Sequence, residues 1–213
     1  MGKVILVLWC LAPPLRAAEV TILALGDSLT QGYGLVEREG LVPQLQAWLE
    51  ARGAAARVIN GGVSGDTTTG AAARIDWSLT ADVEAMIVTL GGNDLLRGVD
   101  PALSRANLEA ILGAAEARDV AVLLVGMRAP GNYGPDYAAE FNAIYPDLAR
   151  AHDVLLHPYF FAGLGMGPPD TLRPYLQADG IHPNAAGVAR IVEDLGPSVL
   201  RLIERVEMKK TPQ

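Results

Sequence analysis

The chain has 213 residues, 50% of them hydrophobic and 19% charged, enough apolar material for a full core and a single domain. Its formal charge of -7 at pH 7 supplies no positive field for phosphate backbones or anionic headgroups, so nucleic acid is not an expected partner. The first 18 residues read differently from the rest. Lys3 opens an apolar run from Val4 to Leu15, and Arg16-Ala17-Ala18 follows, which resembles a secretory signal peptide. The run is too short to span a bilayer, which takes roughly 20 residues, so no stable membrane insertion is expected. Cleavage is expected to leave one domain, residues 19–213, in the periplasm or outside a bacterial cell. Its loss would remove Lys3 and Arg16 but no acidic residue, moving the charge from -7 to -9, and would take away Cys10, the single cysteine.

In chain order, five runs rich in Val, Ile and Leu read as strands: Val20 to Leu25, Ala56 to Ile59, Ala85 to Leu90, Ala121 to Gly126 and Val154 to His157. They are nearly continuous rather than alternating, as expected for parallel strands covered on both faces. Between the first two, Leu41, Leu45, Trp48 and Leu49 repeat at helical spacing and Gly53 closes the segment. Pro101 to Arg118 forms a second helix, with Pro101 suited to the first turn. A third is expected over Tyr137 to Ala151, and a last from Asn184 towards Glu207 with a break or kink near Gly196-Pro197. Alternation of strand and helix predicts a doubly wound α/β sheet with right-handed crossovers, whose ligands gather at the carboxyl ends of the strands.

Chemistry-bearing residues fall at those ends. Ser28, in Leu25-Gly26-Asp27-Ser28-Leu29-Thr30, directly follows the first strand. The segment lacks the Gly-x-Ser-x-Gly elbow, and Gly26, Gly32 and Gly34 lack dinucleotide-binding spacing. Asp179 precedes His182 by three residues in Asp179-Gly180-Ile181-His182-Pro183-Asn184, so both side chains can share one side of a turn. A carboxylate holding one ring nitrogen leaves the other free to take a proton from a serine. Gly65 can bring a backbone amide close to a bound oxygen, Asn93 can add its side-chain amide and Ser28 its own N–H, the donors an oxyanion needs. His152 and His157 lack such settings and are read as structural, at a helix end and a strand end.

Together these segments resemble the GDSL-type esterases of the SGNH hydrolase superfamily. Gly26-Asp27-Ser28-Leu29, Ser64-Gly65-Asp66-Thr67, Gly91-Gly92-Asn93-Asp94 and Asp179-Gly180-Ile181-His182-Pro183 match its four blocks over about Val20 to Leu202. Gly91 to Gly98, Arg128 to Tyr133 and Ala143 to Pro146 are most similar to bacterial periplasmic acyl-CoA thioesterase, arylesterase and lysophospholipase enzymes. The resemblance implies a flavodoxin-like three-layer α/β/α sandwich with a central five-stranded parallel sheet. It also implies a Ser28, Asp179, His182 triad, an oxyanion hole of Ser28, Gly65 and Asn93, and an acyl-enzyme route without metal or organic cofactor. The expected partner is a small-molecule acyl ester or thioester, met by a monomer. Tyr133, Phe160, Phe161 and Met166, in two loops rich in Gly, Pro and aromatic residues, are expected to line an acyl groove. Two alternatives stay open at this level: a carbohydrate O-acetylesterase with the same triad, and a non-catalytic binding domain.

Overall fold

A computed structural model describes residues 19–165 and 169–210. Five parallel strands form one sheet: β1 (Val20–Gly26), β2 (Ala56–Gly62), β3 (Ala85–Thr89), β4 (Ala121–Val125) and β5 (Leu155–His157), in the spatial order β2-β1-β3-β4-β5. All five predicted strands are present, within three residues of their expected ends. Every residue of β1, β3 and β4 is buried, whereas the edge strands β2 and β5 are partly open. Burial on both faces selects unbroken Val, Ile and Leu in the inner strands; one solvated edge relaxes that demand in β2.

The described residues also form eight α-helices: α1 (Ser28–Gln31), α2 (Leu41–Glu50), α3 (Thr68–Ser78), α4 (Gly92–Arg97), α5 (Pro101–Glu116) and α6 (Pro135–Ala151) between the strands, and α7 (Pro169–Leu172) and α8 (Ala185–Lys210) after the last one. Helices α2 and α8 pack together on one face of the sheet, while α3, α5 and α6 pack in sequence on the other. This is the expected three-layer sandwich. The crossover from β1 to β2 runs over one face and those that follow run over the other, so the chain changes face between β1 and β3. At that switch point the connections leaving β1 and β3 diverge and open a crevice at the carboxyl edge.

Of the break or kink expected near Gly196-Pro197, the break is absent, because helix α8 runs continuously through both residues. A proline costs one ladder hydrogen bond, but burial of Val188, Ile191, Val192, Leu195, Val199 and Leu202 holds the helix on both sides of it. Gly196 serves packing rather than termination. A Cβ there would come within 2.6 Å of the Trp48 ring, so the glycine allows α2 and α8 to approach closely. No described helix is long and apolar enough to cross a membrane. The expected leader lies outside the described residues.

Candidate active site

Ser28 is the first residue of α1, immediately after the fully buried β1. Asp27 caps that helix by accepting from Leu29 N at 3.0 Å, and Gly32, in the left-handed region at φ 91°, ends it after one turn. So short a helix on the end of a central strand leaves the serine hydroxyl facing the crevice.

His182 reaches that hydroxyl. Its Nε2 lies 2.9 Å from Ser28 Oγ, and its Nδ1 lies 2.7 Å from Asp179 Oδ2. A carboxylate at Nδ1 requires the ring proton there, which leaves the Nε2 lone pair to accept from the serine. The other carboxylate oxygen accepts from Ile181 N at 2.9 Å and His182 N at 3.0 Å, so the turn between the two residues fixes the pair. Hydrogen bonding from the Ile181 amide first, then from the His182 ring and amide, lowers the Asp179 carboxyl to about 2. The carboxylate is therefore charged at neutral pH.

Gly65 and Asn93 line the same crevice as Ser28. Gly65 follows β2 with φ 81°, a conformation that a side chain would strain, and its carbonyl accepts from Arg97 at 2.7 Å. Asn93 sits in the first turn of α4, whose start is set by Gly91 at φ 104°. Its Nδ2 donates to Asp27 Oδ2 at 3.2 Å. Asp27 is 1% exposed, and burial raises its carboxyl to about 6, with the Leu29 and Asn93 hydrogen bonds opposing that rise. Behind these residues Asp94 is fully buried, accepting from Thr68 N at 2.9 Å, Thr68 Oγ1 at 2.6 Å and Ser104 Oγ at 3.1 Å. One carboxyl thus ties the segment after β2 to the segment after β3 and to α5.

The crevice has a volume of about 540 Å³ and contains Ser28, Gly65, Asn93 and His182 in its lining. Its apolar wall is made by Tyr33, Leu95, Leu96, Tyr133, Tyr159, Phe161, Leu164, Leu172, Leu176 and Ile181. Tyr133 and Phe161 are in that lining. Phe160 does not: it is 1% exposed in the core, packed edge-on to Phe161 with ring centroids 4.9 Å apart. Its backbone N–H bonds Gly126 O at 2.9 Å, which holds this turn against the end of β4. Met166 lies outside the described residues. Leu95, Leu96, Tyr33 and Ile181 were missed because single apolar residues in loops carry no periodic signal; their positions beside Asn93, Ser28 and His182 were the usable clue.

The remaining histidines stand apart. His152 ends α6 with Nδ1 3.5 Å from Glu116, and the buried His157 lies 3.3 Å from both Ser198 Oγ and Asp194 Oδ2. Burial, opposed by Asp194, lowers the His157 imidazole. Among the described residues no group of three or more His, Cys, Asp or Glu side chains could hold a metal ion.

Residues 24–190 match the model of the GDSL-like Lipase/Acylhydrolase family. The chain belongs to that family. It is 38% identical to Esterase TesA of Pseudomonas aeruginosa over 205 residues, 94% of this chain and all of that one. It is 37% identical to Thioesterase 1/protease 1/lysophospholipase L1 of Escherichia coli K12 over 169 residues, 79% of this chain and 77% of that one. Among solved structures, AlinE4, an SGNH-hydrolase family esterase, superimposes with a TM-score of 0.70 at 43% identity, covering 86% of this chain and 96% of that one. Membership of the GDSL family agrees with the layer order and with the four segments that meet in the crevice.

Proposed function

We propose that this GDSL hydrolase cleaves carboxylic esters and thioesters, including aryl esters, acyl-CoA thioesters and lysophospholipids, through an acyl-enzyme. His182 Nε2 takes the proton from Ser28 Oγ as the oxygen bonds the acyl carbon, and Asp179 stabilises the imidazolium. The carbonyl oxygen becomes an anion held by Ser28 N–H, Gly65 N–H and the Asn93 amide. On collapse, His182 returns its proton to the departing alcohol or thiol, then draws one from water as it attacks the acyl carbon and passes it to Ser28 Oγ as the carboxylic acid leaves. Every group in this scheme comes from one chain, which supports action as a monomer. Export to the periplasm is part of the proposal and rests on the character of residues 1–18.

The observation that carries the reading is the unbroken relay from Asp179 Oδ2 through the His182 ring to Ser28 Oγ, at 2.7 and 2.9 Å, opening into a crevice with an apolar wall. That wall favours an acyl chain over a sugar. The test is turnover of p-nitrophenyl acetate against octanoate and longer esters, with Ser28→Ala alongside. Ser28→Ala should lose roughly four to six orders of magnitude, and esters longer than acetate should be preferred. Retained turnover in the variant would remove Ser28 from the chemistry; a strict preference for acetyl groups would favour the carbohydrate O-acetylesterase.

A further inference from the structure

The base and the nucleophile come from loops 154 residues apart in sequence, and their 2.9 Å contact needs something to hold the loops together. The loop carrying Asp179 and His182 is closed on itself. Leu176 and Pro183 form an antiparallel bridge, and Gln177 N–H donates to His182 O at 2.8 Å. The Gln177 side chain then does two things: its Nε2 donates to Pro183 O at 3.0 Å within the loop and to Tyr33 O at 2.8 Å across the crevice. Both partners are carbonyl oxygens, which can only accept, so the NH2 end of the amide must face them. Both of its N–H groups are used.

Tyr33 completes the link on the other side. Its N–H donates to Ser28 O at 3.1 Å, and its ring lies 4.7 Å from the His182 ring, tilted by 40°. A closed circuit results, from Ser28 through Tyr33, Gln177 and His182 back to the Ser28 hydroxyl. Gly34, at φ 75°, leaves the space that the Gln177 amide occupies, since a Cβ there would collide with Gln177 Oε1. Gln44 donates to Ala185 O at 3.2 Å, but that bond holds the start of α8, beyond the loop.

We propose that Gln177 is a positioning residue that sets the distance between His182 and Ser28 by clamping the base loop to the segment following the nucleophile. It does not line the crevice, so it acts on the chemistry through His182 and not through the substrate. The Asp179–His182 pair lies within the loop, so its hydrogen bond does not depend on the clamp. This inference rests on the serine mechanism proposed above.

The test compares wild type, Ser28→Ala, Gln177→Ala and the isosteric Gln177→Glu, which keeps the shape of the side chain and removes both donors. The rate of labelling by a fluorophosphonate and kcat/KM on short and long esters should fall roughly 10- to 100-fold in both Gln177 variants, by the same factor for every acyl length. The downfield proton resonance of the Asp179–His182 hydrogen bond should persist. Labelling within about twofold of wild type, a loss that tracks only the folded fraction measured by thermal melting, a loss that varies with acyl length, or disappearance of that resonance would each overturn the clamp. Failure of wild type itself to be labelled would instead bring down the serine mechanism, and the clamp with it; labelled wild type beside unaffected Gln177 variants would bring down the clamp alone.

Discussion

The two halves of the crevice are built in opposite ways. Ser28, Gly65 and Asn93 leave the ends of β1, β2 and β3, and behind them Asp27 and Asp94 are buried and hydrogen-bonded to the same segments. Asp179 and His182 ride on an exposed turn before α8, held by its own main-chain bonds, by Gln177, and by Asn184, which accepts from Gly187 N at 3.0 Å. Donors meant for a developing charge must not reorganise, and the buried carboxyls of Asp27 and Asp94 hold the segments that carry the proposed ones. A base that must take and return protons needs contact with solvent. Stability and activity should therefore separate between the halves.

The largest effects test that separation. Asp179→Ala should lower kcat by about 10⁴-fold, through loss of the tautomer that leaves Nε2 free, while the unfolding midpoint drops less than in the Asp94 variant because solvent screens a carboxylate that is 37% exposed. Asp94→Ala should do the reverse in stability: it strands Thr68 N–H and the Thr68 and Ser104 hydroxyls in a dry interior and should cost about 3 kcal/mol or more in urea unfolding. Equal loss of stability in the two variants would erase the contrast.

A pH series sharpens it. Burial raises Asp27 from 3.8 to about 6, so the folded chain binds this proton more tightly than the unfolded chain. Unfolding free energy should therefore fall as pH rises from about 4 to about 6, by on the order of 3 kcal/mol, since each pKa unit is worth about 1.4 kcal/mol. Asp27→Asn should flatten that slope, which urea titrations at several pH values would read.

The smallest effect on turnover concerns the wall. Phe161→Ala should change acyl-chain preference with about wild-type stability in the melt, whereas Phe160→Ala should cost about 3 to 5 kcal/mol and leave relative chain-length preference in the folded enzyme unaltered. A shift in preference from the Phe160 variant alone would reverse the assignment of the two rings.

Legibility in the sequence followed local cause. Inner strands announced themselves because burial on both faces leaves only apolar residues, and α2, α5 and α6 because one face repeats at helical spacing. Helix α3 was not foreseen, since it buries little beyond Thr68, Ala71 and Ile75 and leaves Trp77 88% exposed. Nor were α1 and α4, each a turn or two long and set by the glycines at their ends rather than by a stripe.

Residue types and their spacing were enough to read the alternating fold and the parallel sheet, and to single out Ser28, Gly65, Asn93 and His182, which line the crevice, and Asp179, which shares a turn with His182, because each follows a strand or lies in that turn. Which apolar loop residues face that crevice, why α8 survives Pro197, and that Gln177 joins the two catalytic loops came only with three-dimensional packing. Side-chain direction at a strand end, the fit of Gly196 on Trp48 and a hydrogen bond between residues 33 and 177 depend on surfaces that exist only after the chain has closed on itself.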